Sequence, residues 1–348
     1  MKAQLKLLAI SCLLVSISFC VFGQGTLTPP GAPAPTMKTL AQIEPRTLIT
    51  SVPFSISAPG SYYLTTNLTT TVSNAILINA NGVTLDLNGF TISSTVANAA
   101  NGGTAILISS GRSDLTIYNG HIRGGVTNNG SGLYSGSGFS QGIVYTGVVP
   151  NNVRVSGVSV AGVLSTAIHI GNYNSSVAES CTVQTAGGGG IGACTIKGCV
   201  AMDCHSDAIF GNQVSDSRGA SDDYYGISAE TAVNCRGYSE TSIGIASRTA
   251  VSCYGYSASG TGLSADTAQA CFGVTDGDAG FGVRAWVANG CFGYNYAGGT
   301  GLWAPKLAVG CYGYAASGTG LSSYIANSSL GETSSGVAQA ITHKYNMP

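Results

Sequence analysis

The chain has 348 residues, of which 50 are glycine and 44% apolar, with only 8% charged and a formal charge of −1. Disorder needs low hydrophobicity and high net charge, so it is excluded. A basic nucleic-acid binder is excluded as well, because no Lys/Arg run exists that could neutralise several phosphates.

The chain opens with Lys2 and Lys6 ahead of an apolar run from Leu7 to Phe22, and small Gly23 offers a cleavage point. This pattern predicts a secretory signal peptide over 1–23, since the run falls short of the ~20 residues that span a bilayer. Its removal leaves 12 basic against 15 acidic side chains and no membrane span. Residues 24–45 hold Pro29, Pro30, Pro33, Pro35 and Pro45, which fix φ and remove donors, so they read as an extended linker. The expected location is secreted or periplasmic. Residues 46–348 are expected to form one domain with an N-terminal cap and a short C-terminal tail.

Repetition decides the architecture of that domain. The unit Ala-x-x-Cys-x-Gly recurs at Ala232, Ala250, Ala268, Ala288 and Ala308, with spacings of 18, 18, 20 and 20 residues. A weaker copy starts at Ala326, and Ser217, Cys199 and Cys181 continue the cysteine column upstream. Each unit also carries a small residue followed by an aliphatic one, as in Gly244-Ile245 and Gly262-Leu263. This period is too short for paired helices, and no 3.6-residue apolar stripe is present. Alternating runs such as Val251–Tyr256, bounded by Gly and Ser, fit half-buried strands. The fold predicted is all-β: a single-stranded right-handed parallel β-helix of about 13 coils at an inter-strand spacing of ~4.8 Å. Upstream the marks continue at Ala75, Ala105, Gly142, Ala167, Gly190 and Ala208, the first five of them 23–37 residues apart, so loops project from longer coils there.

The segments Val83–Ile92, Leu115–Ile122 and Val153–Val160 resemble the opening coils of right-handed parallel β-helix proteins of the pectate-lyase-like superfamily, in particular exported bacterial members of unassigned function. The resemblance spans roughly residues 46–342. It implies fold and not activity, because this superfold carries lyases, hydrolases, adhesins and plain scaffolds.

Nine cysteines remain after leader removal. The column reads first as small buried hydrophobes, with vertical disulfides second. The spacing Cys194, Cys199, Cys204 matches neither a zinc ribbon nor a redox pair. If Cys235, Cys253, Cys271, Cys291 and Cys311 point inward, alternation sends Tyr254, Phe272, Phe292 and Tyr312 outward in one row and Tyr238, Tyr256, Tyr294 and Tyr314 in a second. Arg218 and Arg236 occupy the first row on earlier coils. An outward aromatic face of this size suits a polysaccharide or a cell-envelope surface; the alternatives are that the faces are reversed and these rings fill the core, or that the rings only pack between rungs.

The resemblance also implies where catalysis would sit, since enzymes of this fold gather carboxylates from adjacent coils. Sliding the 18-residue register puts Asp222 beside Glu240 and His205 beside Asp223, with Asp207 near and Arg218 and Arg236 one column away. Asp207, Asp222, Asp223 and Glu240 are the candidate ligands for Ca²⁺, the one cofactor considered, and an Arg could abstract a proton beside a uronate. Of the motifs that mark sugar hydrolases of this fold, only Asp222-Asp223 matches; Asn119-Gly120-His121-Ile122 is not a Gly-His-Gly, and no Arg-x-Lys occurs. His169 and His343 stand alone. The function expected first is non-catalytic binding or surface structure, with a lyase or hydrolase of an acidic polysaccharide as the alternative.

Overall fold

The computed structural model describes residues 45–346. The expected signal peptide and nearly all of the expected linker lie outside the described residues. From Arg46 onward the chain folds as the parallel β-helix that its repeat predicts, in about 16 turns. The surplus over 13 sits at the two ends. There Thr47–Ile49, Phe54–Ile56 and Gln339–Tyr345 add rungs without the small–aliphatic mark. The expected C-terminal tail is thus a strand: Gln339–Tyr345 pairs in parallel with Thr319–Asn327 and sets His343 against Ile325.

Parallel pairing stacks equivalent residues into files. One interior file keeps its size along the described rungs: Ile76, Ile106, Ile143, Ile168, Ile191, Ile209, Ile227, Ile245, Leu263, Val283, Leu302 and Leu321. Two others shrink. The file that starts Leu85, Ile117, Val155 becomes Ala232, Ala250, Ala268 and onward. The file on the opposite sheet runs Leu68, Ile92, Ile122, Val160, Val183, Ala201, and from Gly219 to Gly331 every member is glycine.

The taper brings the two sheets together. A Cβ on Gly237 would lie 2.0 Å from the carbonyl oxygen of Gly244, and one on Gly244 would lie 2.5 Å from the amide nitrogen of Tyr256. Backbone therefore packs on backbone, which only glycine permits. A coil closed this tightly needs fewer residues, hence the contraction to 18–20.

The corners supply what the thin core lacks. Cys181, Cys199, Cys235, Cys253, Cys271, Cys291 and Cys311 are all buried and free, forming the interior column expected. Thiols of this column donate to the backbone, as Cys253 Sγ does to Val251 O at 3.2 Å. Ser217 and Ser329 substitute for cysteine there and accept from the amides of Cys199 and Cys311 at 3.1 and 3.0 Å. At another corner Ser221, Ser239, Ser257, Thr275 and Asn295 form a buried polar file. Ser257 Oγ accepts from Gly260 N at 2.8 Å and donates to Ser242 O at 2.7 Å, so the turn's backbone groups are satisfied.

The largest departure from regular coils is an antiparallel hairpin, Gly125–Asn128 with Tyr134–Ser137, which projects from the long coil between Ala105 and Gly142. Among the described residues no helix is long and apolar enough to cross a membrane.

Candidate functional site

Two neighbouring surfaces collect the polar and aromatic side chains. The first lies on the outer face of the sheet that carries the glycine file. Arg218, Arg236, Tyr254, Phe272, Phe292 and Tyr312 stand in strict register along one row. Ala220, Tyr238, Tyr256, Val274, Tyr294 and Tyr314 form the other. None of the eight predicted aromatics is buried, and Phe292 is 46% exposed.

The rings stack mostly on one another. Tyr238 and Tyr256 lie 5.0 Å apart and Tyr254 and Phe272 5.5 Å apart, each pair within 9° of parallel. Such stacks cover ring faces and leave edges and hydroxyls outward. Farther along, Phe272 meets Tyr294 at 5.3 Å and Tyr294 meets Tyr312 at 5.7 Å, so the two rows close over the floor.

Between Arg218 and Tyr256 the rows stay apart. A trough of about 290 Å³ opens there, walled by Arg218, Arg236, Tyr238, Tyr254 and Tyr256 and floored by the backbone of Gly219 and Gly237. The Arg236 guanidinium sits 5.0 Å from the Tyr254 ring centre. Among the described residues neither arginine pairs with a carboxylate. Several of the phenols do: Tyr256 donates to Asp276 at 2.6 Å and Tyr312 to Glu332 at 2.8 Å. The Tyr256 pKa is pushed up to about 12, first by its bond to Asp276 and then by burial. That of Tyr312 also rises to about 12, with burial leading and the Glu332 bond second.

The second surface is a cleft of about 440 Å³ around the next corner, lined by Asn128, Gly130, Ser131, Gly132, His205, Asp222, Asp223, Glu240 and Thr241. The hairpin forms one wall. Its Tyr134 hydroxyl lies 2.8 Å from Asp222 Oδ2 and 3.0 Å from Asp203 Oδ1. The Asn128 amide donates to the same two oxygens at 2.8 and 2.7 Å, and Thr185 donates to Asp203 at 2.6 Å. A phenol has one proton, so it can serve only one of the two carboxylates at a time. Burial, followed by the bonds to Asp222 and Asp203, drives the Tyr134 pKa far above the usual phenol range. The His205 ring packs 5.7 Å from that of Tyr134, and its buried Nδ1 has no hydrogen-bond partner. Tyr238 donates to Glu240 and so joins the cleft to the trough.

The predicted acidic set assembles only in part. Asp222, Asp223, Glu240 and His205 share the cleft, but Arg218 and Arg236 face the trough instead. Asp207 does not line the cleft; its Oδ1 accepts from Tyr225 N at 3.2 Å, and burial pushes its pKa upward. His205 stands beside Asp222 rather than Asp223, because the ladder slips between Ala201 and Cys204 and pairs Cys204 with Ser221. Calcium takes 6–8 oxygens. Asp222 and Glu240 are already engaged by Tyr134, Asn128 and Tyr238, and among the described residues no three acidic, His or Cys side chains group as a metal site.

Asn128, Tyr134 and Asp203 escape a reading by register. The first two reach the cleft through a hairpin outside the repeat, and Asp203 sits at the slip itself, with φ of 56°. The length of the coil between Ala105 and Gly142 is the one signal that marks an added wall.

No family model matches the chain, and no curated protein matches it. Among solved structures it is similar to the A-module of a mannuronan C-5 epimerase from Azotobacter vinelandii. The two share 13% identity and a TM-score of 0.44, over 83% of this chain and 88% of that one.

Proposed function

We propose that the protein is an exported, non-catalytic binding protein for an anionic polysaccharide, held in the trough between the two aromatic rows. The observation that carries this reading is the pair of unpaired arginines, Arg218 and Arg236, one rung apart at the open end of the aromatic file. Guanidinium groups bind carboxylates with charge-assisted, directional hydrogen bonds. The glycine floor lets a chain approach the backbone, and Tyr238, Tyr254 and Tyr256 offer ring edges and hydroxyls to a sugar. Stacked ring faces explain why the ligand lies in the trough and not on the closed rows beyond Phe272.

Affinity chromatography on an acidic and a neutral polysaccharide tests the reading. Arg218→Ala with Arg236→Ala should weaken retention on the acidic matrix at least tenfold, since hydrogen bonds to charged groups contribute about 1.5–3 kcal/mol each. Unchanged retention, or equal retention on both matrices by the unaltered protein, overturns it.

The orphaned Nδ1 of His205 beside Asp222 and Asp203 favours a second reading, cleavage of the bound acidic chain by lyase or hydrolase chemistry in the cleft. An imidazole with a free nitrogen can take up or deliver a proton. A product assay for depolymerisation that is positive, and that fails in Asp222→Ala with Glu240→Ala, would replace the binding reading with the enzymatic one.

A further inference from the structure

The sheet opposite the trough carries a second cluster of rings and cations that the proposed function does not use. Both tryptophans of the chain are in it. Trp286, in Phe281–Asn289, and Trp303, in Thr300–Val309, have ring centres 6.1 Å apart. Arg284 stands in register with Trp303 and holds its guanidinium 5.3 Å from that ring. Lys306 Nζ lies 5.2 Å from the ring of Trp286. Trp286 is 47% exposed and borders a cleft of about 360 Å³ with Asp266, Thr267, Val287 and Lys306.

The charge here is not balanced locally. Asp266 is the one acidic residue on the cleft, and it turns to Arg248 at 4.0 Å, which also binds Glu230 at 3.1 Å. Among the described residues neither Arg284 nor Lys306 pairs with a carboxylate. In a chain with 8% charged residues, two cations without a carboxylate partner among the described residues, set against one exposed and one half-buried indole, form a local basic, aromatic surface. Unlike the stacked phenols of the trough, these rings are tilted 53° to each other, so neither covers the face of the other.

We infer that Trp286, Trp303, Arg284 and Lys306 form a second binding surface for a polyuronate chain, with a sugar ring on the Trp286 face and its carboxylate on Lys306 or Arg284. Exposed indole supplies a flat apolar platform, and the adjacent cations supply the complement to a negative polymer. The inner faces of the two sheets meet through the glycine file, so this surface and the trough look away from each other and fill independently.

Because the chain has 2 tryptophans and both are here, tryptophan emission excited beyond the tyrosine absorption band reports on this surface alone. Titration with an oligogalacturonate should change the emission saturably, and a neutral oligosaccharide of equal length should not. Arg284→Ala with Lys306→Ala should lower the apparent affinity at least tenfold, while Arg218→Ala with Arg236→Ala leaves the fluorescence titration unchanged. An emission that stays flat with the oligogalacturonate, or a response that survives in Arg284→Ala with Lys306→Ala, overturns the inference. Column retention is then compared in the Arg284→Ala with Lys306→Ala background, where only the trough is left to hold the acidic matrix, so the two readings fail independently.

Discussion

The two halves of the solenoid solve one packing problem in opposite ways. Before Ala201 the interior is filled with Leu, Ile and Val, as at Leu85, Ile117, Val155 and Val160. From Gly219 onward the same files hold Ala and Gly, and the sheets close until backbone touches backbone. The first half gains its stability from transfer of large side chains out of water. The second replaces that gain with close approach, a dry thiol column and a fully bonded polar corner. Glycine loses the most freedom on folding, so a core of this composition holds only where many identical rungs support one another.

The sharpest way to break this contrast is a side chain between the sheets of the second half. A Cβ on Gly262 would meet Val274 N at 2.4 Å and Val274 O at 2.5 Å, neither of which can rotate away. Gly262→Val should cost more than the about 1–3 kcal/mol typical of overpacking and leave a protein that no longer unfolds in one transition. Chemical denaturation followed by circular dichroism measures it; a cost under about 1 kcal/mol would show that the sheets are not in contact.

Deletion should rank the halves the other way. Ile117→Ala leaves a cavity in the aliphatic half and should cost about 2–5 kcal/mol. Cys253→Ala removes one sulfur from a file that already accepts Ser217 and Ser329, and should cost about 1 kcal/mol. Equal losses in the same denaturation experiment would erase the distinction between the two cores.

The smallest effect expected is a pH dependence at the border between the halves. His169 packs between Tyr145 and Phe210, with ring centres at 5.2 and 5.1 Å, and burial lowers its pKa below 6.5. The unfolded chain binds the proton more readily, so this site contributes stability above about pH 6.5 that fades as the pH falls toward its folded pKa. Thermal unfolding of the His169→Leu variant should show a shallower decline of the midpoint on acidification than the unaltered protein. An identical decline would assign the pH response to other groups.

The repeat made the second half readable and left the first half's additions out of reach. The aromatic rows sit at fixed offsets from Ala-x-x-Cys, so one register places both, and the structure keeps that register from Gly219 to Gly331. The cleft was harder because of one local slip. Ala201 pairs with Gly219 and Ile209 with Ile227, both 18 apart, yet Cys204 pairs with Ser221. Marks on either side conceal the contraction, which moves His205 by one place and brings Asp203 into the carboxylate group. Tyr134 lies 88 positions from its partner Asp222, and no periodicity links a hairpin outside the repeat to the rung it covers. The stacking of ring faces was equally unreadable, since alternation fixes which way a side chain leaves the sheet but not the tilt of its plane.

A rung-by-rung core of glycine, alanine and cysteine has an evolutionary corollary. Each coil presents the next one with the surface it received, so whole coils can be gained or lost by unequal crossing-over without any compensating change elsewhere. The length of the solenoid is then quantised, changing in steps of one strand spacing while the ends stay the same.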